Sequence, residues 1–174
     1  MNNNIILIGF MGAGKTTIGK KLANELGKVF IDTDEVIEKK EKKSVSQIFE
    51  EDGEQYFRQL EHNVLKQLLL EEKSYIISVG GGLPIQESNK EILKQLGTCI
   101  YLQTSKETIW NRLKNDRTRP LLQGENPIKQ IESLMKARAS IYENISQHKI
   151  ITDDKDIKEV TEEIKVFAKI FSDL

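Results

Sequence analysis

The chain has few or none of several features that mark particular classes of protein. Its 174 residues include one cysteine, Cys99, and two histidines, which excludes an internal disulfide and a zinc-type cluster of ligands. No apolar run approaches the ~20 residues of a membrane span, and no basic-then-apolar signal peptide opens the chain. The net charge is −1, so the chain has no excess of basic residues, which a general nucleic-acid binder normally has. A length of 174 residues with 38% hydrophobic residues predicts a single domain, residues 1–174, and these absences predict a cytoplasmic protein that binds neither membranes nor nucleic acids.

Arginine is also scarce, and its positions are informative. Of 26 basic residues only five are arginine. Because lysine supplies most of the positive charge, we expect arginine to remain where a planar guanidinium must hold a carboxylate or a phosphate. The alternative is that five arginines are scattered by chance. All five are therefore candidate site residues: Arg58, Arg112, Arg117, Arg119 and Arg138.

The strongest motif lies near the N-terminus. The segment from Gly9 to Thr16 has the pattern G-x-x-x-x-G-K-[ST] of a phosphate-binding P-loop, and it follows a short apolar run, Ile5–Ile8. In such a loop the glycines let backbone N–H groups surround phosphate oxygens, and the helix that follows adds its positive dipole end. Lys15 supplies a charge to the outer phosphates, and the Thr16 hydroxyl is a ligand for Mg²⁺. The alternative is a chance glycine-rich turn, but the context favours binding of a nucleoside triphosphate.

Short apolar runs alternate with longer amphipathic segments along the chain. Near-continuous apolarity predicts parallel strands that are covered on both faces, at Ile5–Ile8, Val29–Ile31, Tyr75–Val79, Cys99–Leu102 and Lys149–Ile151. Helical periodicity covers Thr17–Leu26, Gln55–Leu70, Glu87–Leu96, Ser105–Lys114, Pro127–Tyr142 and Ile157–Phe171. Ser44 with Gln47 predicts a capping box that opens a further helix. The pattern predicts an α/β protein with right-handed crossovers.

Two segments are unlike ordinary crossovers. The region from about Asp34 to Glu72 is unusually long, and the region Asn115–Asn126 is polar and interrupted. Both begin near the carboxyl ends of strands, where open α/β sheets bind their ligands. We expect the first to form a substrate pocket. We expect the second to form a lid, since water left in the site would accept the phosphoryl group.

Two carboxylates, Asp32 and Asp34, directly follow the second strand. Residues at i and i+2 of a strand point to the same side, here toward the carboxyl edge of the sheet. Phosphoryl transfer needs one group to hold the water shell of the metal ion and another to orient the acceptor hydroxyl or accept its proton. We expect Asp34 to have the second role. The alternative is that one of the two aspartates caps the helix that follows.

Further candidates lie downstream of these carboxylates. Arg58 and Glu61 share a helix face, which predicts either an exposed ion pair or an arginine that Glu61 fixes and that binds a substrate carboxylate. The run Gly80–Gly82 costs backbone entropy, so close approach of a ligand explains it better than a simple turn. We expect Ser78 to contact the metal ion through water.

These residues alone indicate a small-molecule kinase whose acceptor carries a hydroxyl and an anionic group. A gluconate carboxylate or a nucleotide phosphate remains possible as that group, although Asp34 with the three glycines favours a polyol ring. A nucleotide-binding switch or chaperone that has lost the chemistry is the alternative from another class. It predicts loss of Asp34, Arg58 or a lid arginine, and all of these are present.

A series of motifs from about Ile5 to Tyr142 resembles shikimate kinases: Gly-x-Gly-Lys-Thr-Thr, Asp-Thr-Asp, Asp-Gly-Glu-x-x-Phe-Arg, Gly-Gly-Gly, Arg-Pro-Leu-Leu and Arg-Ala-x-x-Tyr. The resemblance implies a P-loop three-layer α/β/α fold with a five-stranded parallel sheet in the order 2-3-1-4-5. It also implies a helical substrate-binding insert at about 33–61 and a mobile lid at about 112–124. We expect the protein to be a monomer. The implied reaction is MgATP-dependent phosphorylation of the 3-hydroxyl of shikimate, in the biosynthesis of chorismate and the aromatic amino acids.

The resemblance also implies a role for each matching residue. ATP is expected to contact Gly12, Ala13, Gly14, Lys15, Thr16, Thr17, Arg112, Arg119 and Lys155. Mg²⁺ is expected to bind Thr16 directly and Asp32 and Ser78 through water. The catalytic residues are expected to be Asp34 as the base, Lys15, and Arg119 from the lid. Shikimate is expected to contact Asp34, Arg58, Arg138, Gly80, Gly81 and Gly82.

The chain departs from the family pattern near its end. Many members carry an arginine against the adenine just after the last strand, and the stretch from Ile151 to Lys155 has none. We expect Lys155 to cover part of the base instead. Arg117 matches no family role.

Overall fold

A five-stranded parallel sheet forms the centre of the computed structural model, which describes residues 3–116 and 126–172. The strands are β1 (Asn4–Ile8), β2 (Val29–Asp32), β3 (Tyr75–Ser78), β4 (Gly97–Gln103) and β5 (His148–Ile151). Their order across the sheet is β2-β3-β1-β4-β5, which confirms the expected order 2-3-1-4-5.

Eight α-helices occur in the described residues: α1 (Lys15–Leu26), α2 (Thr33–Glu41), α3 (Val45–Glu51), α4 (Gly53–Leu69), α5 (Glu87–Leu96), α6 (Lys106–Leu113), α7 (Pro127–Ile145) and α8 (Ile157–Ser172). A 3₁₀ turn, Leu83–Ile85, precedes α5. The predicted capping box is confirmed, because Ser44 and Gln47 exchange both hydrogen bonds at the start of α3. The residues 117–124 of the expected lid, with Arg117 and Arg119, lie outside the described residues.

The alternation of side chains along β1 shows how the layers form. Ile6 and Ile8 lie in a core cluster with residues of α4 and α5, whereas Ile5 and Leu7 lie in a second cluster with residues of α1 and α8. Each cluster buries one face of the sheet, so the structure has the expected three α/β/α layers. Cys99 is fully buried in β4, as a small core residue. Within the described ranges, no helix has the length and apolarity to cross a membrane.

The edge strands differ from the sequence prediction. Val29 in β2 is 58% exposed and Ile151 in β5 is 56% exposed, so these strands are not covered on both faces. An apolar run of three or four residues does not distinguish a central strand from an edge strand, because only the sheet order decides which strand has a neighbour on each side.

The sheet register places the expected site residues at one level. Asp32 in β2 pairs with Ser78 in β3, and Ser78 in turn pairs with Leu7 in β1. The three strands therefore end together. The P-loop, the start of α2 and the glycine run Gly80–Gly82 all leave the sheet at this edge.

Candidate active site

The P-loop connects β1 to α1 in a conformation that glycine permits. Gly12 and Gly14 have φ values of 76° and 90°, in the left-handed region that residues with a side chain rarely adopt. The Lys15 ammonium is nearly buried and donates to the carbonyl oxygens of Gly9 at 2.9 Å and Phe10 at 3.0 Å. The loop therefore places a cation and the positive end of α1 at the end of β1, as a phosphate site requires.

Oxygen-bearing side chains gather beside the loop. The Thr16 hydroxyl donates to Asp32 Oδ2 at 2.8 Å, which joins the start of α1 to the end of β2. Asp32 Oδ1 accepts from the backbone N–H of Asp34 at 3.1 Å, so Asp32 is the N-cap of α2. The alternative that one aspartate caps this helix is thus correct for Asp32, and the cap coexists with the contact to Thr16. Ser78, 2% exposed, lies across the strand register from Asp32.

Gly80 lies against two carboxylates. A Cβ atom at this position would lie 2.8 Å from Asp34 Oδ1 and 3.0 Å from Glu61 Oε1. The Thr33 hydroxyl accepts from the Gly80 N–H at 3.3 Å, which ties the glycine to α2. Because Gly80 has no side chain, Asp34 from α2 and Glu61 from α4 approach the same point.

The Arg58 guanidinium is held by two glutamates of its own helix, α4. Nη1 donates to Glu61 Oε2 at 2.8 Å and Nη2 to Glu54 Oε1 at 2.9 Å, so the predicted Arg58–Glu61 pair is confirmed. It is not a surface pair, because the side chain of Glu61 is 0% exposed and that of Arg58 is 19% exposed. The ring of Phe57 lies 5.6 Å from the guanidinium carbon. Sequence reasoning missed Glu54, although its i, i+4 spacing from Arg58 was a usable signal.

The buried Glu61 carboxyl has an unusual protonation equilibrium. Burial raises the pKa of Glu61 from 4.5 to about 7, even though the adjacent Arg58 charge lowers it, and the Asp34 charge adds to the rise. Glu61 Oε1 makes no hydrogen bond to any residue in the described ranges. Burying the ionised carboxylate therefore costs free energy. Because the ionised fraction of Glu61 depends on pH, its contribution to the free energy of unfolding depends on pH as well.

Replacing Glu61 with Gln is expected to flatten the pH dependence of the free energy of unfolding between about pH 4.5 and 7. In the folded protein the carboxyl keeps its proton up to about pH 7, whereas in the unfolded chain it ionises near 4.5. The folded state therefore binds more protons in this window, and the free energy of unfolding falls as pH rises. The glutamine cannot titrate, so the wild type should lose up to about 3 kcal/mol more than the variant across the window.

Urea unfolding of both proteins at several pH values from 4.5 to 7.5 measures this difference. Glu54→Gln is the matched control, because Glu54 contacts the same guanidinium but its side chain is 64% exposed. The control should keep the pH dependence of the wild type. Parallel profiles for the wild type and Glu61→Gln would contradict the prediction.

Two arginines flank the glycine run. A Cβ atom on Gly82 would lie 2.5 Å from Nη1 of Arg58. Arg138, on α7, lies over the ring of Phe10 with its guanidinium carbon 5.6 Å from the ring centroid. One turn further along α7, the Tyr142 hydroxyl donates to the Gly81 carbonyl oxygen at 2.6 Å.

A cavity of about 480 Å³ opens at this edge of the sheet. Its walls come from the P-loop, the start of α1, the ends of β2 and β3, and the segment that joins β5 to α8. The lining residues are Met11–Ile18, Asp32, Asp34, Ser78–Gly81, Arg112, Thr152, Lys155–Ile157 and Val160. The cavity thus brings Asp34 together with the P-loop. Arg58, Gly82 and Arg138 are not among its lining residues.

Two further predicted cations of the described ranges, Arg112 and Lys155, line the same cavity. Arg112 donates from Nη1 to the Gly12 carbonyl oxygen at 2.8 Å, so it lies on the P-loop. Lys155 forms an ion pair with Glu163 of α8 while it lines the cavity. Sequence reasoning missed Glu163, because a spacing of eight residues across a loop and a helix start has no periodic signal.

Comparison with known proteins identifies the family of this chain. The family model for shikimate kinase matches residues 11–169. A shikimate kinase of Sulfurihydrogenibium is 40% identical over 92% of this chain and 95% of its own length. Another, of Caldanaerobacter subterraneus, is 43% identical over 96% of this chain and 97% of its own. The solved structure of shikimate kinase from Acinetobacter baumannii in complex with shikimate has a TM-score of 0.90 and 39% identity, with 99% and 95% of the two chains covered. The chain therefore belongs to the shikimate kinase family.

Proposed function

We propose that this protein transfers the γ-phosphoryl group of ATP to the 3-hydroxyl of shikimate, giving shikimate 3-phosphate and ADP. The observation that carries the proposal is that Asp34 and the P-loop line one cavity. A candidate acceptor for the hydroxyl proton and a phosphate-binding loop thus share one space. In-line transfer from a nucleotide to an alcohol requires this arrangement.

The nucleotide is bound mainly by the P-loop in this proposal. The backbone from Gly12 to Thr17 contacts the phosphates, and Lys15 faces the outer phosphates as a point charge. Arg112 lies on the loop at the Gly12 carbonyl and is placed to neutralise charge on the nucleotide. Lys155 covers part of the base from the segment that joins β5 to α8.

Mg²⁺ fits the oxygen atoms beside the loop. Thr16 would hold the ion directly, with Asp32 and Ser78 acting through its water shell. Residues 3–116 and 126–172 contain no cluster of three or more His, Cys, Asp or Glu side chains that suits a metal ion, so a mixed set of hydroxyl, carboxylate and water ligands is the proposed one. When bound, the ion would neutralise charge that develops on the transferred phosphoryl group.

The acceptor lies over the glycine run. Asp34 accepts or orients the proton of the reacting hydroxyl, and the lack of side chains from Gly80 to Gly82 gives the ring room against the backbone. Arg58 and Arg138, on either side of this run, hold the carboxylate through paired charge-assisted hydrogen bonds. Arg119 is proposed to reach the phosphates from the lid.

The proposed organisation is one kinase domain spanning residues 1–174. The helical insert at about 33–61 binds the acceptor, and the lid at about 112–124 excludes water during transfer. A monomeric state and a cytoplasmic location remain predictions from the sequence.

Release of ADP from MgATP, measured with shikimate, gluconate, a nucleoside monophosphate or no acceptor, tests the proposal. ADP release that depends on shikimate is the expected result. Turnover with gluconate or the monophosphate alone would assign a different acceptor. ATP binding without turnover on any acceptor would favour the nucleotide-binding switch and would remove Arg58 and Arg138 from an acceptor site.

A further inference from the structure

A buried tyrosine hydroxyl lies where three parts of the site meet. Tyr142, on α7, is 1% exposed, and its hydroxyl donates to the Gly81 carbonyl oxygen at 2.6 Å. Burial raises the pKa of Tyr142 to about 12, although the charge of Arg138 lowers it. The phenol is therefore protonated at every pH at which the enzyme would work, and it can always donate this bond.

Arg138 lies one turn before this hydroxyl, four residues earlier on the same face of α7. Against the larger effect of burial, the charge and hydrogen bonding of the Arg138 guanidinium lower the pKa of Tyr142, so the two groups interact. A guanidinium only donates, and the Tyr142 hydroxyl donates to Gly81, so the phenol oxygen is the acceptor in this interaction. The guanidinium carbon also lies 5.6 Å from the ring centroid of Phe10.

Gly81 connects this pair to the nucleotide side. A Cβ atom on Gly81 would lie 3.3 Å from the Gly9 carbonyl oxygen and 3.5 Å from the Met11 nitrogen, both in the P-loop. Gly81 is therefore close to the P-loop, and its carbonyl oxygen accepts the hydrogen bond from Tyr142. The Tyr142 hydroxyl therefore links α7, one turn from Arg138, to backbone that lines the cavity.

The core role of the Tyr142 ring does not explain this hydroxyl. The ring packs against Tyr101, with centroids 5.2 Å apart, and a phenylalanine would fill the same space. Burying a hydroxyl is favourable only when it is hydrogen-bonded, and here the donated bond goes to Gly81 of the proposed acceptor site, with Arg138 one turn away on α7. Packing of the ring therefore does not require the hydroxyl, which lies at the proposed acceptor site.

We propose that Tyr142 is a positioning residue that fixes Arg138 for the acceptor carboxylate and aligns it with the glycine run. The inference rests on the proposed function, in which Arg138 binds that carboxylate. Tyr142 itself does not touch the acceptor. It limits the rotamers of Arg138 and so lowers the conformational entropy that this side chain loses when the acceptor carboxylate binds.

The test compares Tyr142→Phe with Tyr101→Phe. Both substitutions remove one hydroxyl from the same pair of packed rings, but the Tyr101 hydroxyl makes no hydrogen bond to another described residue. For Tyr142→Phe we expect the KM for shikimate to rise roughly tenfold, with kcat and the KM for ATP changed by less than about twofold. For Tyr101→Phe we expect all three constants to stay within about twofold of the wild type.

A double-mutant cycle with Arg138→Met separates positioning from packing. If Tyr142 acts through Arg138, adding Tyr142→Phe to Arg138→Met should not raise the KM for shikimate further. Melting temperatures of all variants accompany the kinetics. Additive effects in the cycle, or an equal rise of the KM for ATP, would overturn the inference, as would an unchanged KM for shikimate in Tyr142→Phe.

The wild type in the same series reports on the proposed function separately. Wild-type turnover of shikimate together with an unaffected Tyr142→Phe variant would reject the positioning role alone. Absence of shikimate turnover by the wild type would reject both.

Discussion

Replacing Asp34 with Asn is expected to lower kcat by about 10²–10⁴-fold while the Kd for ATP changes by less than about twofold. The amide keeps the size of the side chain and its place in the first turn of α2, but it cannot accept a proton from the acceptor hydroxyl. The hydrogen bonds of Lys15 to the carbonyl oxygens of Gly9 and Phe10, and that of Thr16 to Asp32, remain in the variant. Single-turnover phosphoryl transfer and a separate ATP-binding titration measure the two quantities.

Glu35→Gln is the matched control for this variant. Glu35 follows Asp34 directly in α2, is largely exposed, and pairs with Lys20 at 3.3 Å on the surface. The same acid-to-amide change at this position should leave kcat within about twofold of the wild type, because exposed pairs contribute little. If Asp34→Asn instead weakens ATP binding in proportion to the loss of kcat, Asp34 has a structural role in the nucleotide site.

The positions of the strands and helices could be predicted from the sequence because they depend on local patterns. The five apolar runs all became strands, and the predicted helix Glu87–Leu96 coincides with α5. Errors concentrate at the ends. β4 begins at Gly97, two residues before the predicted start, because Gly97 pairs with Asn4 of β1. That pairing is a long-range contact, and apolar content alone does not indicate it.

The site was predictable as a set of residues, and less so as a set of contacts. The P-loop and Asp32–Asp34 follow motifs with a fixed geometry, so their meeting at the sheet edge could be expected. The buried state of Glu61 could not, since the i, i+3 pair with Arg58 has the same spacing on a surface helix. The bond between Tyr142 and Gly81 joins residues 61 positions apart, and no local pattern encodes it.

Replacing Arg58 with Lys is expected to raise the KM for shikimate by about 10–100-fold and to leave kcat within about threefold. Lysine keeps the positive charge but cannot form two parallel hydrogen bonds to a carboxylate, and a bond to a charged group contributes on the order of 1.5–3 kcal/mol. The carboxylate is remote from the reacting hydroxyl, so losing a hydrogen bond to it weakens binding in the ground state and in the transition state equally. Such a change appears in KM and not in kcat. Initial rates over a range of shikimate concentrations at saturating ATP measure both constants.

Glu54→Gln separates the role of the arginine from that of its support. Glu54 contacts Arg58 from the solvent side, with 64% of its side chain exposed, whereas the buried Glu61 holds the opposite edge of the guanidinium. Because Glu61 still fixes Arg58, loss of the outer carboxylate should change the KM for shikimate by at most about threefold. Equal rises in Glu54→Gln and Arg58→Lys would mean that the ion pairs of α4, and not a contact with the acceptor, set this KM. An unchanged KM in Arg58→Lys would remove Arg58 from the carboxylate site.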